Sequence, residues 1–430
     1  MIMAMKESGI EWVGLIPDDW KIAKNNRLFN ISKQLVNGNW KNTQLLSLTK
    51  SGIIEKNIND GGGKQPESFG TYQYVEKDDI VLCLFDIDVS AVFSDRSKYD
   101  GMISPAYRVM KCTDAILPVY AKWWFDAVNI GRYYLIYTKS LRKTIDADGF
   151  GNILTVVPPL SEQQAIADYL DETCSQIDEI ITEAKESIDE YKELKQSVIF
   201  EAVTKGLDKD IEMKNSEVEG MGFIPKKWSV VRFMKVNYVR ARLGWKGLKA
   251  EEYVDVGYPF LAAYHIVNNH LCWESLNCIT KERYDESPEI KLSIGDLVLV
   301  KDGAGIGKCA RIDEMPLGEA TVNSSLSVIT PNKLLDYRYE YYYFMSPLFQ
   351  NIIARLKNGM GVPHLTQESM KDIYLPLPSK KEQQAIADYL DNKVVELDSL
   401  ITEKESLIND LEAYKKSRIY EVVTGKRRVV

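Results

Sequence analysis

Apolar residues recur at alternating intervals of four and three in a stretch without proline or glycine, from Ser161 to about Lys205. This spacing predicts a long α-helix whose apolar face pairs with a second helix. We expect Ser161 to be the N-cap, Gln164 to complete a capping box and Gly206 to close the helix. The apolar face consists of Ile177, Ile181, Ala184, Ile188, Tyr191, Leu194 or Lys195, and Val198.

A second stretch with the same pattern begins at Ser379 and ends near Gly425. The positions of its pairing face are Leu397, Ile401, Lys404, Ile408, Leu411 and Tyr414, so a charge stands at Lys404, where the first helix has Ala184. At ~1.5 Å per residue each helix is roughly 65 Å long. We expect the two helices to pair as an antiparallel coiled coil and to hold the intervening bodies apart. The alternative is that both are long surface helices of a larger domain.

The chain also repeats itself at the level of identity. Residues Glu162–Asp171 return unchanged as Glu382–Asp391, 220 positions later. A shorter echo, Gly-x-Ile-Pro-x-x-Trp, occurs at residues 14–20 and again at residues 222–228, 208 positions later. The residues between these echoes show little identity. We infer a tandem duplication of a domain followed by a long helix, with pseudo-twofold internal symmetry and segments 1–158, 159–212, 213–377 and 378–430.

The two non-repeating bodies have the alternation and turn chemistry of mixed α/β domains, each a curved sheet with flanking helices. The predicted strands are Leu297–Val300, with Asp79–Phe85 in the matching place of the first body, and Val230–Val239, Ser325–Thr330 and Tyr107–Lys111. The predicted helices are Pro118–Tyr137 and Tyr337–Leu356.

Charge is distributed unevenly along the chain, whose net charge is −8. Residues 161–212 contain 15 acidic and 5 basic residues, whereas residues 1–160 and 213–378 each have a net charge of +1. A basic face on each body is therefore compatible with an acidic total.

Several classes of protein are disfavoured by the composition. No apolar run approaches the ~20 residues of a membrane span, and the first residues lack the features of a secretory signal. The six cysteines form no CxxC pair and the three histidines show no metal-ligand spacing, so we expect a cytoplasmic protein without disulfides or bound metal. We find no catalytic constellation, and we expect the chain to be non-enzymatic.

The segment Asp302–Lys308, Asp-Gly-Ala-Gly-Ile-Gly-Lys, superficially resembles a phosphate loop. It lacks the first glycine and the final Ser or Thr of a Walker A motif, and a strand is expected after it where a dinucleotide site needs a helix. We interpret it as a glycine-rich hairpin. Such a turn lets the backbone approach a DNA phosphate closely, with Lys301 and Lys308 at its two ends.

The motif Pro-Leu-x-Glu-Gln-x-x-Ile-Ala-x-Tyr-Leu-Asp stands at 159–171, and its Glu-Gln to Asp part returns within 378–391. It resembles the repeated regions of type I restriction–modification specificity (S) subunits. The Gly-x-Ile-Pro-x-x-Trp openings and the segments 295–308 and 361–366 are similar to that family's target-recognition domains. The first half departs from the second: it has no glycine hairpin, and we align Asp148–Asn152 with Gly361–His364.

The resemblance implies two target-recognition domains, each reading one half of a bipartite asymmetric site in double-stranded DNA, and a helix pair that sets the spacer. It implies two adenine-N6 methyltransferase (M) subunits and restriction (R) subunits as partners, in a prokaryotic cytoplasm. S-adenosylmethionine, ATP and Mg are expected on those partners, with no cofactor bound by this chain. The alternatives are a nucleotide-binding enzyme that uses residues 302–308 and a coiled-coil adaptor without a DNA role.

Polar and basic residues in predicted loops are the candidates for contact with DNA. In the first body they are Lys64, Gln65, Arg96, Lys98 and Arg142; in the second they are Lys246, Asn268, Asn269, Lys301, Lys308, Asn323, Arg355 and His364. The identical heads of the two helices are the candidates for docking partner subunits, through Glu162, Gln163, Ile166, Tyr169 and Leu170 and through Glu382, Gln383, Ile386, Tyr389 and Leu390.

Overall fold

The computed structural model describes residues 4–58, 68–90, 92–138, 141–242, 248–303, 305–358, 365–366 and 368–429. The chain forms two compact units. Unit 1 comprises residues 1–185 and 406–430, and unit 2 comprises residues 186–405. Each unit contains one body and part of each long helix. The division into four sequence segments stays a prediction.

Unit 1 is built from short strands and three short helices around the N-terminal part of the first long helix. Its strands are β1 (Met5–Glu7), β2 (Leu15–Pro17), β3 (Lys21–Lys24), β4 (Phe29–Ser32), β5 (Leu45–Thr49), β6 (Gly52–Lys56), β7 (Gln73–Val75), β8 (Ile80–Leu82), β9 (Ser94–Arg96), β10 (Gly101–Ile103), β11 (Arg108–Cys112) and β12 (Leu154–Val157). Its helices are α1 (Asn25–Leu28), α2 (Pro118–Ile130), α3 (Ala147–Asn152) and α4 (Leu160–Lys205), with 3-10 turns at Asn37–Asn42 and Tyr133–Tyr137.

Unit 2 follows the same plan around the remainder of α4. Its strands are β13 (Met213–Asn215), β14 (Phe223–Pro225), β15 (Ser229–Arg232), β16 (Asn237–Arg240), β17 (Tyr258–Leu261), β18 (Ile266–Val267), β19 (His270–Leu271), β20 (Cys278–Ile279), β21 (Leu297–Val300), β22 (Cys309–Arg311), β23 (Thr321–Val322), β24 (Leu326–Pro331) and β25 (Tyr374–Leu377). Its helices are α5 (Phe233–Val236), α6 (Lys281–Asp285), α7 (Tyr337–Met345), α8 (Pro347–Asn358) and α9 (Lys380–Val423), with 3-10 turns at Ala250–Glu252, Ala263–His265 and Pro288–Ile290.

Each unit contains an antiparallel four-stranded sheet with the same connectivity, in the order β4-β11-β8-β9 in unit 1 and β16-β24-β21-β22 in unit 2. The central strand β21 is buried on both faces because successive side chains of a strand point to opposite sides. Leu297 and Leu299 enter the core that includes α7, while Val298 and Val300 enter a second core. Each sheet therefore separates two hydrophobic cores and holds the β8–β9 or β21–β22 hairpin in place.

The predicted fold class, mixed α/β bodies with two long helices, is confirmed, with local differences. The predicted helix Pro118–Tyr137 ends at Ile130 and is followed by a 3-10 turn at Tyr133–Tyr137. The predicted strand Val230–Val239 is divided into β15 and β16 by the single helical turn α5. The predicted helix Tyr337–Leu356 is broken after Met345, where Pro347 lacks the N–H that a continuing helix would use. In each place the type of secondary structure was predicted correctly for most of the segment, but its continuity was overestimated.

Both long helices form where they were expected, but their N-termini differ. Ser379 caps α9: its hydroxyl accepts from the N–H of Glu382, and Glu382 Oε2 accepts from the N–H of Ser379 at 3.1 Å. In α4 the carbonyl of Pro159 accepts the first helical hydrogen bonds, so Ser161 lies inside the helix and the predicted capping box with Gln164 is wrong. Gln164 donates instead to Asp168 Oδ1.

The helices run antiparallel, as two ion pairs show. Lys415 Nζ lies 2.6 Å from Asp178 in unit 1, and Lys195 Nζ lies 2.5 Å from Asp398 in unit 2. From the first pair to the second, the residue number rises from 178 to 195 along α4 and falls from 415 to 398 along α9. The two helices therefore run in opposite directions. Ile177, Ile181, Ala184 and Ile188 are buried as predicted. Lys195 occupies the contact face and Leu194 is exposed, which decides the alternative that the periodicity left open.

Candidate nucleic-acid interface

The repeated head of each long helix holds the adjoining body through a buried glutamine. In unit 1, Gln163 Oε1 accepts from the N–H of Leu117 at 2.7 Å, and its Nε2 donates to the carbonyls of Ala115 and Pro158. In unit 2, Gln383 makes the same three bonds, to the N–H of Asp336 and to the carbonyls of Leu334 and Pro378. Both side chains are 0% exposed. The glutamine therefore fixes the start of α2 or α7 on the helix head.

The neighbouring glutamate connects the helix head to the Gly-x-Ile-Pro-x-x-Trp opening. Trp20 Nε1 donates to Glu162 at 2.9 Å, and Trp228 Nε1 donates to Glu382 at 3.3 Å. In unit 1 the guanidinium of Arg428 also binds Glu162 through two bonds of 2.7 Å. Nothing in the sequence pattern pointed to Arg428, whose role depends on the C-terminal residues folding back onto the N-terminal strands.

The residues predicted to dock partner subunits have a different primary role. Most of them are buried in their own unit: Glu162, Gln163, Ile166, Leu170, Gln383, Ile386 and Leu390. Tyr169 and Glu382 are partly exposed, and Tyr389 is 41% exposed. The identical sequence is thus explained by identical packing inside each unit. Docking of partners on these heads stays a prediction, and within these turns it would have to use exposed side chains such as Gln164, Asp168, Gln384 and Asp388.

The glycine-rich segment 302–308 connects β21 and β22 as a hairpin, as predicted. Leu299 pairs with Cys309 across the hairpin, and the N–H of Val300 donates to the carbonyl of Lys308 at 2.8 Å. The segment leads into strand β22, so the helix N-terminus on which phosphate loops depend is replaced by a strand. This geometry disfavours the nucleotide-binding alternative.

The hairpin of unit 2 brings several predicted DNA-contacting residues together. The N–H of Lys301 donates to the carbonyl of Ser325, and Asn323 Oδ1 accepts from the N–H and hydroxyl of Ser325. The N–H of Leu365 donates to the carbonyl of Lys301 at 2.9 Å. We call the group formed by Lys301, Lys308 and Asn323 the unit 2 hairpin cluster.

The matching hairpin of unit 1 joins β8 to β9 through residues 83–93. The N–H of Ile145 donates to the carbonyl of Leu84, as that of Leu365 does to Lys301, and the N–H of Asp86 donates to the carbonyl of Arg142. Arg142 is exposed beside this hairpin. Asp148–Asn152 belongs to helix α3. The segment that we align with it, Gly361–His364, lies outside the described residues, so that alignment stays a prediction.

The two hairpins differ in charge. Lys308 is exposed and Lys301 forms an ion pair of 2.9 Å with Asp302 in unit 2. The unit 1 hairpin carries Asp86 and Asp88, and Arg132 donates from behind to the carbonyls of Ile87 and Ser90. Lysines at a hairpin attract phosphate, whereas carboxylates accept hydrogen bonds from base amino groups. The two hairpins are therefore suited to different contacts.

The remaining predicted DNA-contacting residues lie apart from the hairpin clusters or have other partners. Arg96 forms an ion pair of 3.0 Å with Asp78, and Lys98 is exposed. Asn268 and Asn269 form the turn between β18 and β19, where both adopt the left-handed conformation that asparagine tolerates. Arg355 forms an ion pair of 2.9 Å with Glu219. Lys64, Gln65, Lys246 and His364 lie outside the described residues.

A buried carboxyl lies behind the hairpin of unit 2. Glu340, on α7, is 0% exposed and its Oε1 accepts from Asn237 Nδ2. Burial raises the pKa of Glu340 to about 8, so it is mostly protonated at neutral pH. The corresponding positions of unit 1 hold Ala121 and Phe29, so this polar pair belongs to one unit alone.

Among the described residues, no group of three or more His, Cys, Asp or Glu side chains has a metal-binding arrangement. No helix in the described part of the chain is long and apolar enough to cross a membrane. The cysteines at positions 83, 112, 174, 272, 278 and 309 are free thiols.

Comparison with known proteins finds a matching family model and several similar sequences. A family model described as the type I restriction modification DNA specificity domain matches residues 225–412. The MjaVIII specificity subunit of Methanocaldococcus jannaschii is 26% identical over 315 residues, which cover 69% of this chain and 70% of that protein. Over these stretches the chain is similar to type I specificity subunits. The EcoKI specificity subunit of Escherichia coli is 25% identical over 48% of this chain and 44% of its own length.

Solved specificity-subunit structures share the fold over nearly the whole chain. The HsdS subunit from Thermoanaerobacter tengcongensis aligns with a TM-score of 0.54 at 14% identity, covering 96% of this chain and 98% of its own. A chain from a structure on assembly and conformational transition of the type I R-M system aligns with a TM-score of 0.72 at 14% identity, covering 96% and 99%. At these identities the likeness shows the fold.

Proposed function

We propose that this specificity subunit selects the DNA site of a type I restriction–modification complex. Each body reads one half of a bipartite, asymmetric site, and the antiparallel helix pair sets the length of the unread spacer. The chain performs no chemistry itself and binds no cofactor. The methyltransferase and restriction subunits use S-adenosylmethionine, ATP and Mg. Two M subunits and the R subunits assemble on this chain.

One observation carries the proposal: the same internal frame is built twice around two different bodies. The Trp–Glu bond, the three bonds of the buried glutamine and the Asp–Lys pair between the helices occur in both units. The hairpins presented by these frames differ in sequence and charge. A duplicated frame with different presented surfaces fits the reading of two different half-sites by one chain.

The unit 2 hairpin cluster is the part of the proposal that a nucleic-acid contact explains best. Lys308 is exposed at a turn with positive-φ glycines at positions 303 and 307, so the backbone can approach a ligand closely. A Cβ at Gly307 would lie 2.9 Å from the side chain of Ile353, which shows how tightly the turn packs on α8. The rigid turn would present lysine and backbone N–H groups to a phosphate.

The test is methylome sequencing of cells that express this chain together with its cognate methyltransferase subunit. We expect N6-methyladenine in a bipartite motif with a fixed spacer, and none when the methyltransferase is expressed alone. Replacing the unit 2 hairpin loop 302–308 with that of another family member should alter one half of the motif and leave the other half unchanged. An unaltered methylome on removal of the chain would contradict the proposal, and changes in both half-sites would contradict the assignment of one body to each.

A further inference from the structure

The front motif can be compared position by position between the two units. Residues 8–17 align without a gap with residues 216–225, and the turns match: the N–H of Ser8 donates to the carbonyl of Gly14 at 3.0 Å, as that of Ser216 does to Gly222 at 2.9 Å. Trp12 of unit 1 therefore corresponds to Gly220 of unit 2. Tryptophan and glycine are the residue types with the largest and the smallest side chains.

In unit 1 the ring of Trp12 fills an aromatic pocket. It stacks on Tyr133 with ring centroids 4.1 Å apart and planes inclined by 7°. Trp124 and Tyr420 lie at 5.2 Å and 6.3 Å, and the Tyr420 hydroxyl donates to the carbonyl of Trp12. The pocket is thus closed by a residue of the chain itself.

In unit 2 the same place is open. The repeat of the long helices sets Phe200 where unit 1 has Tyr420, and Gly220 contributes no ring. A cavity of about 320 Å³ lies there, lined by Phe200, Gly220, Leu348 and Ile352 among others. Gly220 has a φ of +80°, so a tryptophan at this position would be strained and the chain has no simple way to fill the cavity itself.

The cavity continues into a second one of about 640 Å³, and Glu219, Ile352 and Arg355 line both. The second cavity has apolar walls from Val218 and Leu356. An isolated aromatic molecule would use only the first cavity. The continuous groove has room for the chain on either side of an aromatic side chain.

The charges of the groove indicate what would flank the ring. Glu217, Glu219 and Asp372 line it, and among the described lining residues the one cation, Arg355, already pairs with Glu219. Arg232 lies beside the groove, where it donates to the hydroxyl of Tyr374 at 3.2 Å. All three carboxylates belong to exposed residues. The groove therefore repels phosphate and favours basic residues, in contrast to the hairpin cluster of the same unit.

From these observations we propose that the groove between α8 and the β13–β14 hairpin of unit 2 binds a polypeptide segment of a partner protein, with a tryptophan or similar aromatic side chain in the Phe200–Gly220–Leu348 cavity and lysine or arginine beside it. The segment supplies in trans the ring that Trp12 supplies in unit 1. The residues that line this groove do not include Lys301, Lys308 or Asn323 of the unit 2 hairpin cluster, and the proposal does not depend on the DNA interface.

The full-length chain with labelled Ile and Leu methyl groups provides the direct test by NMR. The peptide acetyl-Lys-Trp-Lys-amide should shift the methyl resonances of Leu348, Ile352 and Leu356 in a saturable way. The peptide acetyl-Lys-Ala-Lys-amide should leave them unmoved, and acetyl-Glu-Trp-Glu-amide should bind about threefold or more weakly because of the carboxylates. Absence of shifts with the first peptide would overturn the proposal.

Two variants add matched controls. Ser197→Trp places a ring at the mouth of the cavity and should weaken binding of the Lys-Trp-Lys peptide about tenfold or more. Ser417→Trp makes the same change at the equivalent position of unit 1 and should have no effect. Trp12→Gly should open a second site, so that indole shifts resonances around Tyr420 as well. Equal binding of free indole and both tryptophan peptides would mark a small-molecule site and overturn the polypeptide assignment.

Discussion

The two units share a frame and differ in what that frame holds. In both units a tryptophan donates to the glutamate at the head of the long helix. A buried glutamine beside that glutamate binds the start of α2 or α7. A tyrosine hydroxyl also donates to the backbone of a neighbouring segment. Tyr120 donates to the carbonyl of Val156 at 3.0 Å, and Tyr339 donates to that of Pro376 at 2.9 Å. Where these contacts lie the two sequences agree. Identity therefore marks the places where the chain packs on itself.

The differences lie at the surfaces that the frame presents. The hairpin of unit 1 is acidic, whereas that of unit 2 carries two lysines. The ring of Trp12 fills a pocket in unit 1, whereas Gly220 leaves the corresponding cavity of unit 2 open. The end of the long helix is joined to the front motif differently in the two units. In unit 1, Arg428 and Lys426 hold the C-terminal residues to the N-terminal segment. In unit 2 the corresponding connection is the covalent link of residues 206–212. A duplicated design can thus diverge wherever its internal contacts are left intact.

The largest expected effect comes from removing the buried glutamine. Gln163→Leu and Gln383→Leu each leave one N–H and two carbonyls without partners, and we expect each to lower the free energy of unfolding of its own unit by ~3–5 kcal/mol. Hydrogen-exchange mass spectrometry of β12 and β25 would measure this unit by unit. Gln164→Leu, at an exposed position, is the control and should change little. Clearly unequal losses in the two units would show that the frames are not energetically equivalent.

The next prediction concerns the buried carboxyl that only unit 2 contains. The pKa of Glu340 is about 8 in the folded state, above its ordinary value of 4.5, so the unfolded chain ionises first as the pH rises. The stability from this group is complete below pH 4.5 and is lost between pH 4.5 and about 8, amounting to on the order of 3 kcal/mol at pH 7.

Glu340→Gln keeps the hydrogen bond to Asn237 without an ionisable group. We expect this variant to be more stable than the parent chain at pH 8 and to differ little from it at pH 5, as measured by urea unfolding of unit 2. Glu251→Gln, at an exposed position of the same unit, is the control. A variant that loses as much stability between pH 5 and pH 8 as the parent chain would contradict the assignment.

Much of the fold was predictable because long-period signals survive in the sequence. The heptad spacing located both long helices. The glycine hairpin was also predictable, since Gly303 and Gly307 adopt positive φ in a turn between two apolar runs. These signals are local, or depend on comparing the chain with itself, and need no knowledge of which residues meet across the fold.

What the sequence did not reveal depends on long-range contacts. The identical heads were interpreted as exposed docking surfaces, yet Gln163 is buried by residues some 46 positions away. Arg428 binds Glu162 across 266 positions, and no local pattern encodes that pairing. The open groove at Gly220 becomes visible only when the ring contacts of Trp12 are known. Burial of a polar residue is set by the packing of distant elements and has no periodic signature.

Because the two hairpins differ in charge, the two units should contribute differently to the affinity for DNA. Lys308→Glu should weaken binding of the methyltransferase complex to its site about tenfold and reduce the slope of log affinity against log salt by about 1. Lys301→Glu should act in the same direction but less cleanly, since Lys301 pairs with Asp302. Lys333→Glu, outside the hairpin cluster, serves as the control. An unchanged affinity and slope for a Lys301 and Lys308 double reversal would remove the cluster from the DNA interface.

The smallest effect is expected where the two units are most alike, at the ion pairs between α4 and α9. Lys195 and Asp398 have side chains 18% and 37% exposed, whereas Lys415 and Asp178 are 26% and 59% exposed. Because water screens the second pair more, double-mutant cycles to alanine should give a coupling energy near ~1 kcal/mol for Lys195–Asp398 and below ~0.5 kcal/mol for Lys415–Asp178. Unfolding in low and high salt measures both, and salt should reduce each. Equal couplings would mean that solvent exposure does not distinguish the units at this level, and that their difference is confined to the bodies and the groove.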